Sequence, residues 1–438
     1  MTTATQEKTN AAPSPAPASP ARTLSTQTAA PKAERVSLPK YQSPDRFLNE
    51  LRRRVDAYFE TTGLPRRDCP AMYRKSIAIL GWMLASYVLL VFFASSLWMA
   101  IPLAISLGVA LAAIGFNIQH DGGHSAYSDK PWLNRLAAAS LDVLGASSYV
   151  WRQQHTVVHH SFANIDGHDS DIDLGGIGRL APTQKRYWFH RFQHFYLWPL
   201  YGFVAPKWQF IDDFRDLIKG RICGYRFPRP RGKELALLIG GKLTFISWAL
   251  VLPMCLHGFW VGLGFYFFVS MLQGAIMATV IQLAHAVEEA EFPVPNHDNR
   301  LENSWAVHQV QTTVDYARNS RLVSWFTGGL NFQIEHHLFA RICHIHYPAI
   351  SKIVEATCHE YGLPYYEHPT FWAGMKSHYR WLRAMGQPVS QESTQDDSDR
   401  QDQDSDDQDR GREVCHNERS GHGSAAAVSD RPAMALRC

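Results

Sequence analysis

Trp151-Arg-Gln-Gln-His155-Thr-Val-Val-His159-His160 packs three imidazoles into six residues, and the fold is read outward from it. Wound as an α-helix, it puts His155 and His159 one turn apart on one face, with His160 rotated about 100° from His159. That spacing gives one metal two ligands and passes a third to a neighbouring metal. Upstream stands His120-Asp-Gly-Gly-His124, and far downstream Gln333-Ile-Glu-His336-His337. A buried imidazole needs hydrogen-bond partners, and each cluster would have to find several, so core filling is a poor explanation for three spaced groups.

The apolar runs around these clusters set the architecture. Residues 77–96 are long enough to cross about 30 Å of hydrocarbon, and Arg66, Arg67, Arg74 and Lys75 before them place the start in the cytoplasm. Residues 97–116 follow with no charge between, which predicts a transmembrane hairpin returning to the cytoplasmic side at His120. A second pair, 235–256 and 259–284, repeats the arrangement around an uncharged His257-Gly258. Lys242 is the charge inside these spans and is expected to snorkel. The expectation is therefore an all-α integral membrane protein, with four transmembrane helices in two hairpins. A cytosolic helical cap then carries a histidine-rich di-metal site, because all three clusters fall on one side.

Other segments bound the folded part. Residues 1–40 are rich in Ala, Pro, Thr and Ser and read as a disordered leader, and residues 387–438, with eight Asp between Asp396 and Asp409, as a disordered acidic and polar tail. The domain expected between them is 41–386. Phe47, Leu51, Val55 and Tyr58 recur at helical intervals and predict an amphipathic helix that packs on the soluble part or lies on the membrane surface. Leu136 to Val150 is too short and interrupted to span and is expected to dip into the interface. Of the 438 residues, 43 are Lys or Arg and 40 Asp or Glu, a net charge of +3 spread along the chain, which gives no nucleic-acid footprint. Seven scattered cysteines without a C-x-x-C pair argue against a disulfide scaffold, an iron–sulfur site or a zinc ribbon.

His120 and His124, spaced i, i+4, would aim at one point beside the membrane, with Asp121 able to orient a ligand. Gln333, His336 and His337 fall on nearly one face of a helix. Imidazole suits iron, copper, nickel and zinc alike, so ligand type alone does not name the metal, and a set of seven exceeds one tetrahedral site.

The boxes H-x3-H, H-x3-H-H and Q-x2-H-H, placed around two hairpins, resemble the membrane fatty acid desaturase family. The glutamine heading the third box is similar to its front-end branch, which inserts double bonds between an existing one and the carboxyl end. The likeness spans about residues 45–385 and takes in Asn164-Ile-Asp-Gly-His-Asp169 and Trp305-Ala-Val-His308-Gln-Val-Gln-Thr-Thr313. It implies two irons and dioxygen, with His120, His124, His155, His159, His160, His336, His337 and His308 as ligands. Gln333, His285 and Asp121 would be further ligands or their supports, and Asn164, Asp166 and His168 candidates for contacting substrate. His344, His346 and His359, after the third box, are expected to stand outside the site.

The resemblance further implies a cis double bond introduced at Δ6 or Δ5 of an acyl-CoA or acyl-lipid chain. No His-Pro-Gly-Gly motif of a fused cytochrome b5 occurs, so electrons would come from a separate carrier of ferredoxin or cytochrome b5 type. The expected setting is a bacterial inner membrane, with both termini and the site cytoplasmic. A histidine-box hydroxylase or ketolase is the near alternative. A membrane metal transporter is a distant one, since transport sites lie mid-bilayer on broken helices whereas these clusters lie outside the spans.

Overall fold

The structure, a computed structural model, describes residues 38–388. The expected leader and acidic tail lie almost wholly outside the described residues. Among the described residues, four helices are long and apolar enough to cross a membrane: α2 (Pro70–Phe93), α3 (Leu97–Gly123), α4 (Lys233–His257) and α5 (Phe259–His285). Each overlaps the run expected from the sequence, with α2 shifted to begin seven residues earlier, at Pro70 rather than 77, and to end three earlier, at Phe93 rather than 96, and with α3 running seven further, to Gly123 rather than 116.

The four helices divide into an inner and an outer pair. Half of the most apolar window of α3 (50%) and of α5 (56%) is buried in protein, against 22% for α2 and α4. The inner pair packs at close range, and a Cβ on Gly274 of α5 would come within 2.2 Å of the Gly202 carbonyl oxygen, so only glycine lets the segment around 202 cross there. The outer faces are apolar and open: Leu84, Leu97, Trp98, Leu243 and Trp260 are all exposed, as lipid-facing side chains are. Within the first pair, Trp82 Nε1 donates to Ser106 Oγ over 2.8 Å, so polar groups inside the apolar layer find partners between helices. Two inner helices thus run directly into histidines, α3 into His120 and His124 and α5 into His285.

Lys242 does not snorkel. Its ammonium is buried and donates to the carbonyl oxygens of Gly145 (2.6 Å) and Gln209 (2.7 Å) and to Asp213 Oδ2 (2.7 Å). The physical reason is that the segments around 145 and 209 lie against the middle of α4, offering acceptors nearer than solvent. Within Leu136 to Val150, the stretch expected to dip into the interface, Asp142 and Gly145 pack against Gly241 and Lys242 of α4.

The remaining elements pack on one another and on these helices as a further layer. α1 (Arg46–Thr62) is capped by Asp45, whose Oδ1 accepts from Leu48 N at 2.9 Å, and closed by Gly63 at φ +64°. Its buried Phe47, Leu51, Val55 and Phe59 share a core with Ile350 and Val354, so of the two roles expected for this helix it takes the packing one. α6 (Trp305–Thr312), α7 (Gln333–Phe339), α8 (Tyr347–Glu360) and α9 (Phe371–Gly386) complete the layer. Two pairs of two-residue strands, Arg221–Ile222 with Tyr225–Arg226 and Asp315–Tyr316 with Glu367–His368, fasten its loops.

Candidate metal centre

The central histidine stretch is not the α-helix that its spacing suggested. Residues Arg152–His159 are wound as a π-helix, the wider turn with i→i+5 bonds that recurs at functional sites. Winding by five brings His155 and His160 together, with their Nε2 atoms 3.3 Å apart, while the His159 ring stacks on His155 at 5.1 Å. The first box obeys its i, i+4 spacing, with the rings of His120 and His124 4.8 Å apart. Its two glycines are needed for approach: a Cβ on Gly123 would lie 2.2 Å from the Trp151 ring, and one on Gly122 would lie 2.5 Å from Ala138 N.

Two sets of nitrogens result. His120, His124, His155 and His336 point ring nitrogens at one locus, and His159, His285 and His337 at a second, the ligand atoms of each set lying within 4.8 Å of one another. His160 groups with His336 and His337 at the border between the sets. The third box is therefore split: adjacent residues His336 and His337, rotated by about 100°, serve different sets. His285 joins the second set, while His308 does not join either, its Nε2 lying 3.0 Å from the Ala163 carbonyl oxygen.

Several of these nitrogens are buried without a protein partner, which suits them to hold a cation. His124 Nε2, His159 Nε2, His285 Nδ1, His336 Nε2 and His337 Nε2 are buried without a partner, and His120 Nε2 meets His155 Nε2 at 3.2 Å with at most one proton between them. Burial, reinforced by the neighbouring imidazoles, holds His124, His155, His160, His336 and His337 well below the ordinary range, so they present lone pairs. Neutral imidazoles converging on two loci fit two transition-metal ions such as iron.

Supporting residues fix the rings. His159 Nδ1 donates to Asp169, 3.0 Å from Oδ1 and 3.1 Å from Oδ2, with Asp171 at 3.6 Å. Burial opposes charge on His159, but the two carboxylates outweigh it and lift it to about 9. His337 Nδ1 lies 2.8 Å from Gln309 Oε1, and Gln333 Nε2 lies 2.9 Å from His285 Nε2. Gln333 thus contacts a histidine of the second set. Glu335, between Gln333 and His336, turns away to Tyr365 (3.0 Å), and burial next to Asp315 raises it far above the carboxylate range.

The other residues marked from the sequence are spread around the centre. Asp121 meets His344 Nδ1 at 2.7 Å, so its partner is a histidine expected to stand outside the site, and Lys75 Nζ holds the other nitrogen of that ring at 3.0 Å. Asn164 is fully buried and its amide ties the carbonyls of His285, Glu291 and Thr312 together. Asp166 accepts from Thr183 Oγ1 at 2.7 Å, and His168 bonds the Tyr225 hydroxyl. Asp169, Asp171 and Gln309 were missed, although Asp169 and Gln309 belong to the stretches that carried the resemblance. Only the need of a ligating imidazole for an acceptor on its second nitrogen could have pointed to them.

A narrow cavity of about 40 Å³ runs along this centre, bounded by His120, His155, His159, Trp151, Trp208 and Met277. Clustered buried histidines together with four helices long and apolar enough to cross a membrane define the class, a membrane protein with a histidine-rich candidate metal centre. The sequence matches the fatty acid desaturase family over residues 96–369, and the chain belongs to that family. It is 38% identical over 344 residues to an sn-1 linoleoyl-lipid 6-desaturase of Arthrospira platensis, covering 77% of this chain and 92% of that protein. It is also 38% identical over 360 residues to an enzyme of the same name from Synechocystis sp., covering 81% and 98%. With an acyl-lipid (8-3)-desaturase of Physcomitrium patens it shares 39% over 344 residues, 78% of this chain and 72% of that one. This chain is thus a membrane protein and an oxidoreductase that desaturates fatty acids, which removes the transporter alternative.

Proposed function

We propose that this chain is a front-end desaturase that places a cis double bond at Δ6 of an unsaturated acyl chain carried on a membrane lipid. The observation that carries this reading is the near full-length likeness to two lipid 6-desaturases, joined to a glutamine-headed third box whose Gln333 contacts the second histidine set. Two irons would be held by His120, His124, His155 and His336 on one side and by His159, His285 and His337 on the other, with His160 between. When bound, they would supply the activation of dioxygen that removes one hydrogen from each of two adjacent methylenes. Two electrons from a separate carrier and two protons balance the reaction to two waters.

The chain's own residues do the rest. Asp169 and Gln309 hold His159 and His337 in the tautomers that turn Nε2 inward. Burial of the whole set excludes water from the reacting carbons. Trp151 and Trp208 wall the cavity under the metals, so an alkyl chain lies flat against aromatic faces there. The site and both termini are assigned to the cytoplasmic side of a bacterial inner membrane, since Arg66 and Arg67 precede α2 and Arg74 and Lys75 lie in its first two turns, at the end where the histidines gather.

The test is product analysis in a host supplied with linoleate and stearate. A new bond between carbons 6 and 7 of linoleate is expected. A new bond at Δ9 of stearate with linoleate untouched would refute the front-end reading, and a hydroxylated chain without a new double bond would refute desaturation.

A further inference from the structure

Below the narrow cavity lies a larger one of about 290 Å³, reaching down between the helices to Leu97 and His257 at their far ends. The two share no lining residue, yet their walls meet at one level on every side. On α3 the boundary falls between Gly115 above and Leu111 below, and on α5 between Met277 and Gln273, one helical turn in each case. The two segments that lie against α4 agree, Trp208 lining the upper space and Gln209 the lower, and Trp151 the upper and Leu144 the lower. The cavities are therefore stacked on one axis and parted by a single layer. Gly115 and Met277 face each other across it, since a Cβ on Gly115 would lie 3.6 Å from the Met277 methyl carbon. Gln273 Nε2 lies 3.8 Å from the Met277 sulfur beneath. Gln209 is fastened to the Leu144 carbonyl (3.1 Å) and to the Tyr266 hydroxyl (2.7 Å), and Lys242 clamps the Gln209 and Gly145 carbonyls, so the layer is stiff.

The depth of this layer has a chemical meaning that rests on the function proposed above. Along α5, helical rise puts Met277 about 12 Å and Gln273 about 18 Å from His285. A chain desaturated between carbons 6 and 7 leaves its remaining carbons pointing away from the metals. In an 18-carbon chain, carbons 7 to 18 extend about 15 Å, at about 1.3 Å per carbon from the projection of an ordinary C–C bond. The methyl end of an 18-carbon chain thus arrives at the layer, and a 20-carbon chain must push through it.

We infer that Met277, facing Gly115, is a specificity-determining gate that sets the methyl-side length limit at about twelve carbons beyond the new bond, with the lower cavity as the space a longer tail enters. The occupant is the hydrocarbon end of the substrate acyl chain. Met is suited to such a place because its unbranched thioether adapts to what lies against it.

The experiment compares products from equimolar 16-, 18- and 20-carbon unsaturated chains fed to strains expressing the full chain. Met277→Ala is expected to raise the ratio of 20- to 18-carbon product about tenfold, the transfer worth of two methylenes. Val269→Phe, which fills the lower cavity one turn beneath Gln273, is expected to cancel that gain when added to Met277→Ala. Gly115→Val, narrowing the layer from the opposite wall, is expected to shift use from 18- towards 16-carbon chains. An unchanged ratio in Met277→Ala would overturn the inference. A gain that survives Val269→Phe would also overturn it, because the lower cavity would then be a groove for bilayer lipid. Should Met277→Ala yield no product, Gly115→Val decides, and equal preference for 16 and 18 carbons relative to the unsubstituted protein counts against the gate. Bond position is read from the same spectra, so insertion at Δ9 would sink the front-end reading while the length limit, counted from the new bond, stands or falls separately.

Discussion

Asp169→Asn is the substitution that most directly probes how the second histidine set is held. The carboxylate takes the His159 Nδ1–H on both oxygens, at 3.0 and 3.1 Å, and also accepts the amides of Asn164 and Asp171, each at 2.9 Å. Asparagine keeps the shape but only one acceptor oxygen, so it loses the negative charge and one of the two backbone hydrogen bonds. In either orientation its NH2 faces a backbone N–H, that of Asn164 or that of Asp171. Outer partners of metal-binding histidines are worth about 10- to 100-fold in affinity or activity, or about 1.4 to 2.8 kcal/mol. Of the two histidine sets His159 belongs to the second, so the loss should fall on one of the two proposed irons. Anaerobic ferrous titration of the apo-protein, with metal counted by mass spectrometry, should show one tight site kept and one weakened by that factor. Product formation should fall with it. Two tight irons and undiminished turnover in Asp169→Asn would show that the carboxylate does not orient a ligand.

The same carboxylates give a pH signature. His159, lifted to about 9, is protonated at neutral pH, so metal must displace its proton, and iron uptake by apo-protein should rise about tenfold per pH unit between pH 7 and 9 and then level off. Because this folded-state value is raised, its contribution to apo-protein stability is fully present below about pH 6.5 and is lost as pH rises through about 9, which thermal unfolding across that window should show. His337→Ala should abolish desaturation and lower bound iron, whereas His308→Ala should leave the iron count at two, as metal analysis of both purified variants will decide. Lys242→Met should destabilise the protein in detergent by about 3–5 kcal/mol through the unpaired buried Asp213, and Lys242→Met/Asp213→Leu should recover most of it; equal unfolding midpoints for wild type and Lys242→Met would refute the clamp.

The helical membrane architecture was legible because it is written in composition. A run of about 20 apolar residues admits few other structures, and the lack of charge between 77–96 and 97–116 left no room for a soluble loop. Which helices would be inner was not legible, since α2 and α3 are equally apolar and only the glycines of α5, met by Gly202 and its neighbours, reveal the packing partner. Lys242 was misread for a related reason. A lysine inside an apolar run is expected to reach for water when nothing else is known, and the acceptors that hold it come from residues 29 and 97 positions away.

In the site, the sequence identified which side chains matter better than it identified how they divide. Residue type and clustering marked seven histidines that do converge, because an imidazole set has no cheap structural use. Their division between two loci depends on local winding. Read at 3.6 residues per turn, His155 and His159 share one face; wound as a π-helix, the stretch brings His155 Nε2 to 3.3 Å from His160 Nε2, while His159 gathers with His285 and His337 and still lies near His155 and Asp171. The winding thus decides which nitrogens come together, and no periodicity in ten residues separates the two windings. The choice between His308 and His285 turned on the same limit. His308 sits in a polar stretch and looks free, yet its ring meets the Ala163 carbonyl. His285 ends an apolar helix and looks structural, yet the length of α5 carries its unpaired nitrogen to the second locus. Ligand identity follows from chemistry, whereas ligand assignment follows from where a helix happens to stop.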